Sequence, residues 1–262
     1  MINHFRGWPI LGVATVLFLV VIANPDWWSW VLRFLFPDES QVLYTRDSLL
    51  QLTFEHLRLV GLSSGLTILI GLPLGIWVTR RSGISFQPIV NNLVSIGQTF
   101  PPVAVLALAV PVLGFGLKPT VLALFLYGLL PVVRNTIAGI QAVPFASIDA
   151  AWGLGMSRRQ TLLRVEIPLA ARVILTGVRI SVIINIGTAM IGAVIGAGGL
   201  GMPVVAGLAQ DNVAYILQGV IPAAFLAIIV DRILVGIERF FEYGEERPSS
   251  RIRAGEGRHL VG

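Results

Sequence analysis

Five apolar runs of about 20 residues recur along this chain with polar or glycine-bearing segments between them, alternate ones rich in arginine, and that pattern leaves little choice of fold. Backbone amides and carbonyls cannot stay unpaired in hydrocarbon, so each run must be a helix that satisfies its own hydrogen bonds. The runs are Leu57 to Val78, Ile89 to Val110, Pro119 to Ile140, Val173 to Ile195 and Ala214 to Ile237. A shorter one, Pro9 to Ala23, precedes them and ends at Asn24-Pro25-Asp26 and the cluster Trp27, Trp28 and Trp30. Read as a span meeting an interfacial aromatic belt, it brings the total to about six transmembrane helices. A cleaved signal peptide ending at Ala23 is the alternative reading of that stretch. With 55% hydrophobic and 13% charged residues, the chain is expected to be an all-α polytopic membrane protein.

The basic residues set the orientation. With the N-terminus inside, the cytoplasmic segments hold Arg6, Arg80, Arg81, Arg158, Arg159, Arg164, Arg172, Arg239, Arg247, Arg251, Arg253 and Arg258, and the outer segments only Arg33, Arg46, Arg58 and Lys118. That asymmetry places both termini in the cytoplasm. It also accounts for the formal charge of +5 through membrane orientation rather than nucleic-acid binding. The chain divides into three regions: 1–56, an N-terminal span and a mixed, soluble-facing external segment in which Trp30 to Phe36 can lie in the interface; 57–240, the membrane core; and 241–262, a polar cytoplasmic tail.

The insert Phe145 to Leu169, FASIDAAWGLGMSRRQTLLRVEIPL, is polar between apolar neighbours and therefore carries whatever the chain does outside the bilayer. Ser147 is placed to cap a short helix through Asp149, Ala150 and Ala151, with the Asp149 charge near the positive end of the helix dipole. Gly153 and Gly155 end that helix in a reversal that needs left-handed backbone. Ser157 with Arg158, Arg159 and Gln160 starts a second helix, amphipathic through Leu162, Leu163 and Ile167 against Arg158, Arg159 and Arg164, and expected outside the bilayer core or on its surface until Pro168 closes the unit.

The order Asp149-Ala150-Ala151, Gly155, then Ile167-Pro168-Leu169 resembles the EAA loop of ABC importer permeases, with Asp149 where that family usually has glutamate. The segments QTFPPVAVLALAVPVLGFG from Gln98, FLYGLLPVVRNTIAGI from Phe125 and INIGTAMIGAVIGAGGLG from Ile184 resemble its osmoprotectant branch, importers of glycine betaine, choline and related quaternary amines. The likeness spans roughly Leu57 to Arg239. It implies a type I importer-permease core of the MetI-like kind in a bacterial inner membrane, with Asp149, Ala150, Ala151, Gly155, Arg158, Arg159, Ile167 and Pro168 on the loop that docks a cytoplasmic ABC ATPase. The resemblance further implies a second permease subunit, identical or related, and an extracytoplasmic binding protein in which selectivity mainly resides. No GxxxxGK[ST] phosphate loop occurs in the chain, so ATP and Mg would be held by the partner ATPase, and this chain itself is expected to need no cofactor.

Within the spans, charges are expensive and therefore informative. Arg134, Arg179, Asp231 and Arg232 are the candidates; an Arg179–Asp231 pair toward the cytoplasmic side and independent snorkelling of each arginine are both open readings. Gln98, Thr99, Asn185 and Thr188 can mark a translocation pathway or simply hydrogen-bond one helix to another. Pro101 and Pro102 remove amide donors in mid-run, so the segment Ile89 to Val110 should kink or unwind there. Gly196, Gly198 and Gly201 satisfy GxGxxG, but come after a membrane helix rather than a strand, and read as a flexible, closely packed exit from the fifth span. Cysteine is absent, and His4, His56 and His259 are isolated, so neither a thiol nucleophile nor a metal site is indicated. The competing class is a proton-coupled secondary transporter of small zwitterionic or cationic solutes, for which only Asp231 stands clearly within a span.

Overall fold

The computed structural model describes residues 7–241, and the polar tail lies outside the described residues. The helices run in chain order α1 (Gly7–Ala23), α2 (Pro25–Leu35), α3 (Leu49–Trp77), α4 (Gln87–Thr99), α5 (Pro102–Leu113), α6 (Leu117–Gln141), α7 (Phe145–Gly153), α8 (Arg158–Thr161), α9 (Ile167–Ala189), α10 (Gly201–Gln210) and α11 (Val213–Phe240). Among the described residues, four helical stretches are long and apolar enough to cross a membrane: α3, α6, the continuous stretch Arg158–Ile195 and α11. The number rises to six when the bent pairs α1–α2 and α4–α5 are each counted as one span.

The N-terminal region is more ordered than its mixed composition suggests. Asn24 ends α1 and caps α2, its side-chain oxygen accepting from the Trp27 amide at 3.1 Å, and α2 leaves α1 at 80°. Helix α2 is amphipathic: Trp28 and Leu32 are buried, whereas Trp30 and Phe34 face outward. Ser48 then caps α3 by accepting from the Gln51 amide, so this helix starts at Leu49 and runs across the division placed after residue 56. Gln51, Glu55, His56 and Arg58 disguised that start, because a helix that continues beyond the apolar layer takes polar residues there.

The double proline breaks its segment as expected. Phe100 and Pro101 each precede a proline, a position that disfavours helical backbone, and both are extended, so α5 departs from α4 at 94°. The Tyr127 hydroxyl of α6 donates to the Phe100 carbonyl freed by the break.

Helix α6 sits at the centre, packed against α3 on one side and α9 on the other. Small residues allow that closeness: a Cβ on Gly177 would lie 2.5 Å from the Asn135 Cβ, and one on Gly75 2.7 Å from that of Thr136. A second apolar cluster packs Phe18, Ile22, Trp28, Leu32 and Tyr44 against Tyr215 and Leu226 of α11. The N-terminal arm is thereby fastened to the last helix.

Candidate functional site

The insert between α6 and α9 folds into two helices with a sharp turn between them. Pro144 stands at the start of α7 and the Ser147 amide donates to its carbonyl at 3.0 Å, so Ser147 is already the third residue of the helix and caps nothing. A capping serine needs extended backbone, and here proline supplies the extended residue. As a consequence Asp149 lies in the second turn, away from the helix N-terminus, and its charge is presented to the exterior. Ile148 turns inward against Ile140, Val143, Ala170 and Ile174, and Ala151 is buried as well. The opposite face carries Ala146, Asp149, Ala150 and Gly153 in the open, flanked by Phe145 and Trp152 in an edge-to-face pair 6.3 Å apart. Leu154, 80% exposed, extends this apolar rim.

Two hydrogen bonds close α7: the Gly155 amide donates to the Trp152 carbonyl and the Met156 amide to the Ala151 carbonyl, the paired pattern of a Schellman turn. The turn requires Gly155 at φ +78°, and a Cβ there would meet nothing within 4 Å. Backbone geometry, not crowding within the chain, therefore demands the glycine.

Ser157 and Gln160 form a reciprocal capping box at the start of α8. The helix then differs from the expected surface-lying unit, because Pro168 does not close it: Arg158 to Ile195 is one continuous stretch of 38 residues. The reason is a π turn over Leu162–Glu166, in which the Ile167 amide reaches back to the Leu162 carbonyl. Proline is tolerated in the first turn of the following α segment, where the wider π register has already changed the bonding pattern. Arg158, Arg159, Arg164 and Pro168 are exposed, Ile167 partly so. Glu166 is buried and receives two hydrogen bonds from the Arg80 guanidinium, at 2.6 and 3.0 Å. Nothing in the spacing of these residues, 86 positions apart, announces that contact.

Of the remaining predicted residues, Arg179 and Asp231 come within ion-pair distance, and the pathway candidates lie at separate places. Gln98 donates to the Tyr127 carbonyl at 2.6 Å, and Thr99, exposed, donates to the Ile96 carbonyl of its own helix. Pro101 and Pro102 form the break, beside an open apolar recess of about 440 Å³ lined by Phe100, Leu108, Leu122 and Leu126 among others. Asn185 is fully buried between α9 and α3, donating to the Ser63 and Ser64 hydroxyls, whereas Thr188 is only partly covered. Arg179 lies 3.8 Å from Asp231 but 3.1 Å from Glu238, the nearer carboxylate and one not among the charges expected inside the spans. Arg134 donates to the Ser95 hydroxyl.

At the opposite end of the bundle the glycine-rich segment closes tightly. Gly196, Gly198 and Gly199 all have positive φ, the Gly199 amide donates to the Glu55 carboxylate at 3.0 Å, and the His56 ring bonds the Ile186 carbonyl. Neighbouring side chains tie the N-terminal arm to α11: Asn212 donates to the Gln41 carbonyl, the Tyr215 hydroxyl to the Gln41 side chain, and the Tyr44 amide to Gln218. Burial and the nearby Asp47 push the Tyr44 phenol above its ordinary pKa. None of these contacts was visible in the sequence pattern.

Residues 71–243 match the family described as binding-protein-dependent transport system inner membrane component. The chain is 41% identical over 191 residues to the osmoprotectant import permease protein OsmY of Salmonella typhimurium, covering 73% of this chain and 81% of that one. It is 37% identical over 210 residues to the choline transport system permease protein OpuBB of Bacillus subtilis, covering 80% and 92%. Among solved structures, the inward-facing MetNI methionine ABC transporter superposes with a TM-score of 0.65 over 74% of this chain and 95% of that one, at 22% identity. At that identity the likeness speaks for the fold.

Proposed function

Because the chain belongs to the family of inner-membrane components of binding-protein-dependent transport systems, we propose that it forms half of a gated pathway for glycine betaine, choline or related quaternary amines. It is a transport subunit rather than an enzyme, and a cytoplasmic ABC ATPase supplies the driving force. The observation that carries this reading is the shape of α7: a partly buried Ile148 and a buried Ala151 fix one side of the helix to the bundle, while Asp149, Ala150 and the Phe145–Trp152 pair stay open for a partner. Exposed apolar and aromatic groups, with Arg158, Arg159 and Arg164 also exposed in the segment that follows, suit a protein contact better than solvent.

The arginine asymmetry supports an arrangement with α7 and both termini in the cytoplasm, and with the glycine segment and Gln41 facing the extracytoplasmic binding protein. A second permease subunit completes the pathway. The test is co-purification of the full chain with the ATPase, together with radiolabelled glycine betaine uptake in cells with and without that subunit. Uptake that depends on the ATPase supports the reading; uptake independent of it, and abolished by a proton uncoupler at constant ATP, overturns it.

A further inference from the structure

The contact between Arg80 and Glu166 joins two parts of the molecule that the proposed docking leaves separate. Arg80 lies in the turn after α3, and its carbonyl accepts from the Gly83 and Ile84 amides that lead into α4. The guanidinium is held on two sides. Its Nη1 and Nη2 donate to the two Glu166 oxygens, and its Nε and Nη2 donate to the Thr79 hydroxyl, which itself donates to the Ile76 carbonyl. Only 8% of the Glu166 side chain is exposed. An exposed ion pair contributes little to stability, but a two-pronged one onto a covered carboxylate is specific, because Glu166 without Arg80 would be a desolvated, unpaired charge.

Position gives this pair its meaning. Glu166 is the last residue of the π turn, between the second helix of the insert and the long helix α9. An extra residue in a helical turn rotates the helix beyond it, and here it accompanies a carboxylate that faces inward toward α3 while the arginines around it face outward. The α3–α4 turn, for its part, leads directly into the segment that breaks at Pro101.

We propose that Arg80 and Glu166 are positioning residues that clamp the insert to the α3–α4 hairpin, so that movement imposed on α7 by the ATPase is carried into the helices of the pathway. This rests on the reading of α7 as the ATPase-docking helix. Docking and transmission are separate tasks: the exposed face of α7 binds, and the clamp conveys. Losing the clamp should therefore leave the ATPase attached and hydrolysing while transport fails.

The experiment uses the full transporter in membranes, with permease amount, retained ATPase, ATP hydrolysis and substrate uptake measured side by side. Glu166→Gln and Arg80→Gln should retain the ATPase at wild-type level and keep ATP hydrolysis, with uptake reduced about tenfold, within the range of a single coupling contact. The exchange Arg80→Glu with Glu166→Arg should recover much of the uptake. If the single variants fail to accumulate, Arg80→Lys decides, since it keeps the charge but loses the two-pronged geometry and should accumulate with reduced uptake per ATP hydrolysed. Wild-type uptake per ATP in the variant that accumulates overturns the proposal. Loss of the ATPase from Glu166→Gln also overturns it, because the pair would then serve docking itself. Asp149→Arg, run in parallel, isolates the underlying premise: an ATPase that stays bound and active in that variant sinks the docking reading, whatever the clamp variants do.

Discussion

The chain reverses direction twice with the same local device and puts the two reversals to different uses. After α7 the amides of Gly155 and Met156 bond back to Trp152 and Ala151; after the 3₁₀ turn Met190–Ile195 that succeeds α9, the amides of Gly196 and Ala197 bond back to Ala193 and Gly192 in the same pattern. A Cβ on Gly155 or on Gly196 would meet nothing within 4 Å. Beyond that point they part. The Gly155 turn stays open, with exposed Trp152 and Leu154 around it. The Gly196 turn runs under α3, where a Cβ on Gly199 would sit 3.1 Å from the His56 ring and 3.3 Å from its backbone, and one on Gly201 2.1 Å from the Met190 carbonyl. An open reversal has room for a partner; a closed one seals an end of the bundle.

This contrast can be broken most sharply at Gly201. Its obstacle is backbone, which cannot swing aside, so Gly201→Ala should destabilise the folded chain by about 3 kcal/mol, and thermal unfolding of the detergent-solubilised protein should show a clearly lower midpoint. Gly155→Ala should cost about 1–2 kcal/mol through positive φ alone, with the permease still accumulating in membranes. If the two substitutions prove equally harmful, crowding does not separate the two turns. The smallest effect is expected at Glu55. Glu55→Gln keeps an oxygen able to accept from the Gly199 amide and should shift stability by less than about 1 kcal/mol in the same unfolding assay. A larger loss would mean that the charge, not the hydrogen bond, holds the glycine segment.

How much of this was readable in the sequence depends on how local each signal is. The long spans announce themselves because hydrocarbon demands about 20 apolar residues in a row. The break at Pro101-Pro102, the glycine turn at Gly155 and the cap at Ser157 were legible too, since each acts through its own backbone. Ser147 misled because Pro144, three residues earlier, started the helix first. Helices α2 and α10 left no clear signal, being only 11 and 10 residues long and stabilised by what they pack against. The Pro168 expectation failed because a π turn, which has no composition of its own, changed the register before the proline arrived. Long-range pairings such as Arg80 with Glu166, and the burial of Asn185 against Ser63 and Ser64, depend on which helices become neighbours. No window along the chain contains that information.

If α7 and its open turn dock the ATPase, the amount of ATPase retained on membranes, relative to total permease, should fall in Asp149→Arg and Gly155→Asp. Both positions are exposed, so both variants should insert and accumulate near wild-type level. Each should lose most of the bound ATPase and, with it, glycine betaine uptake. Wild-type ATPase retention with continued uptake in both variants would mean that α7 is not where the ATPase docks.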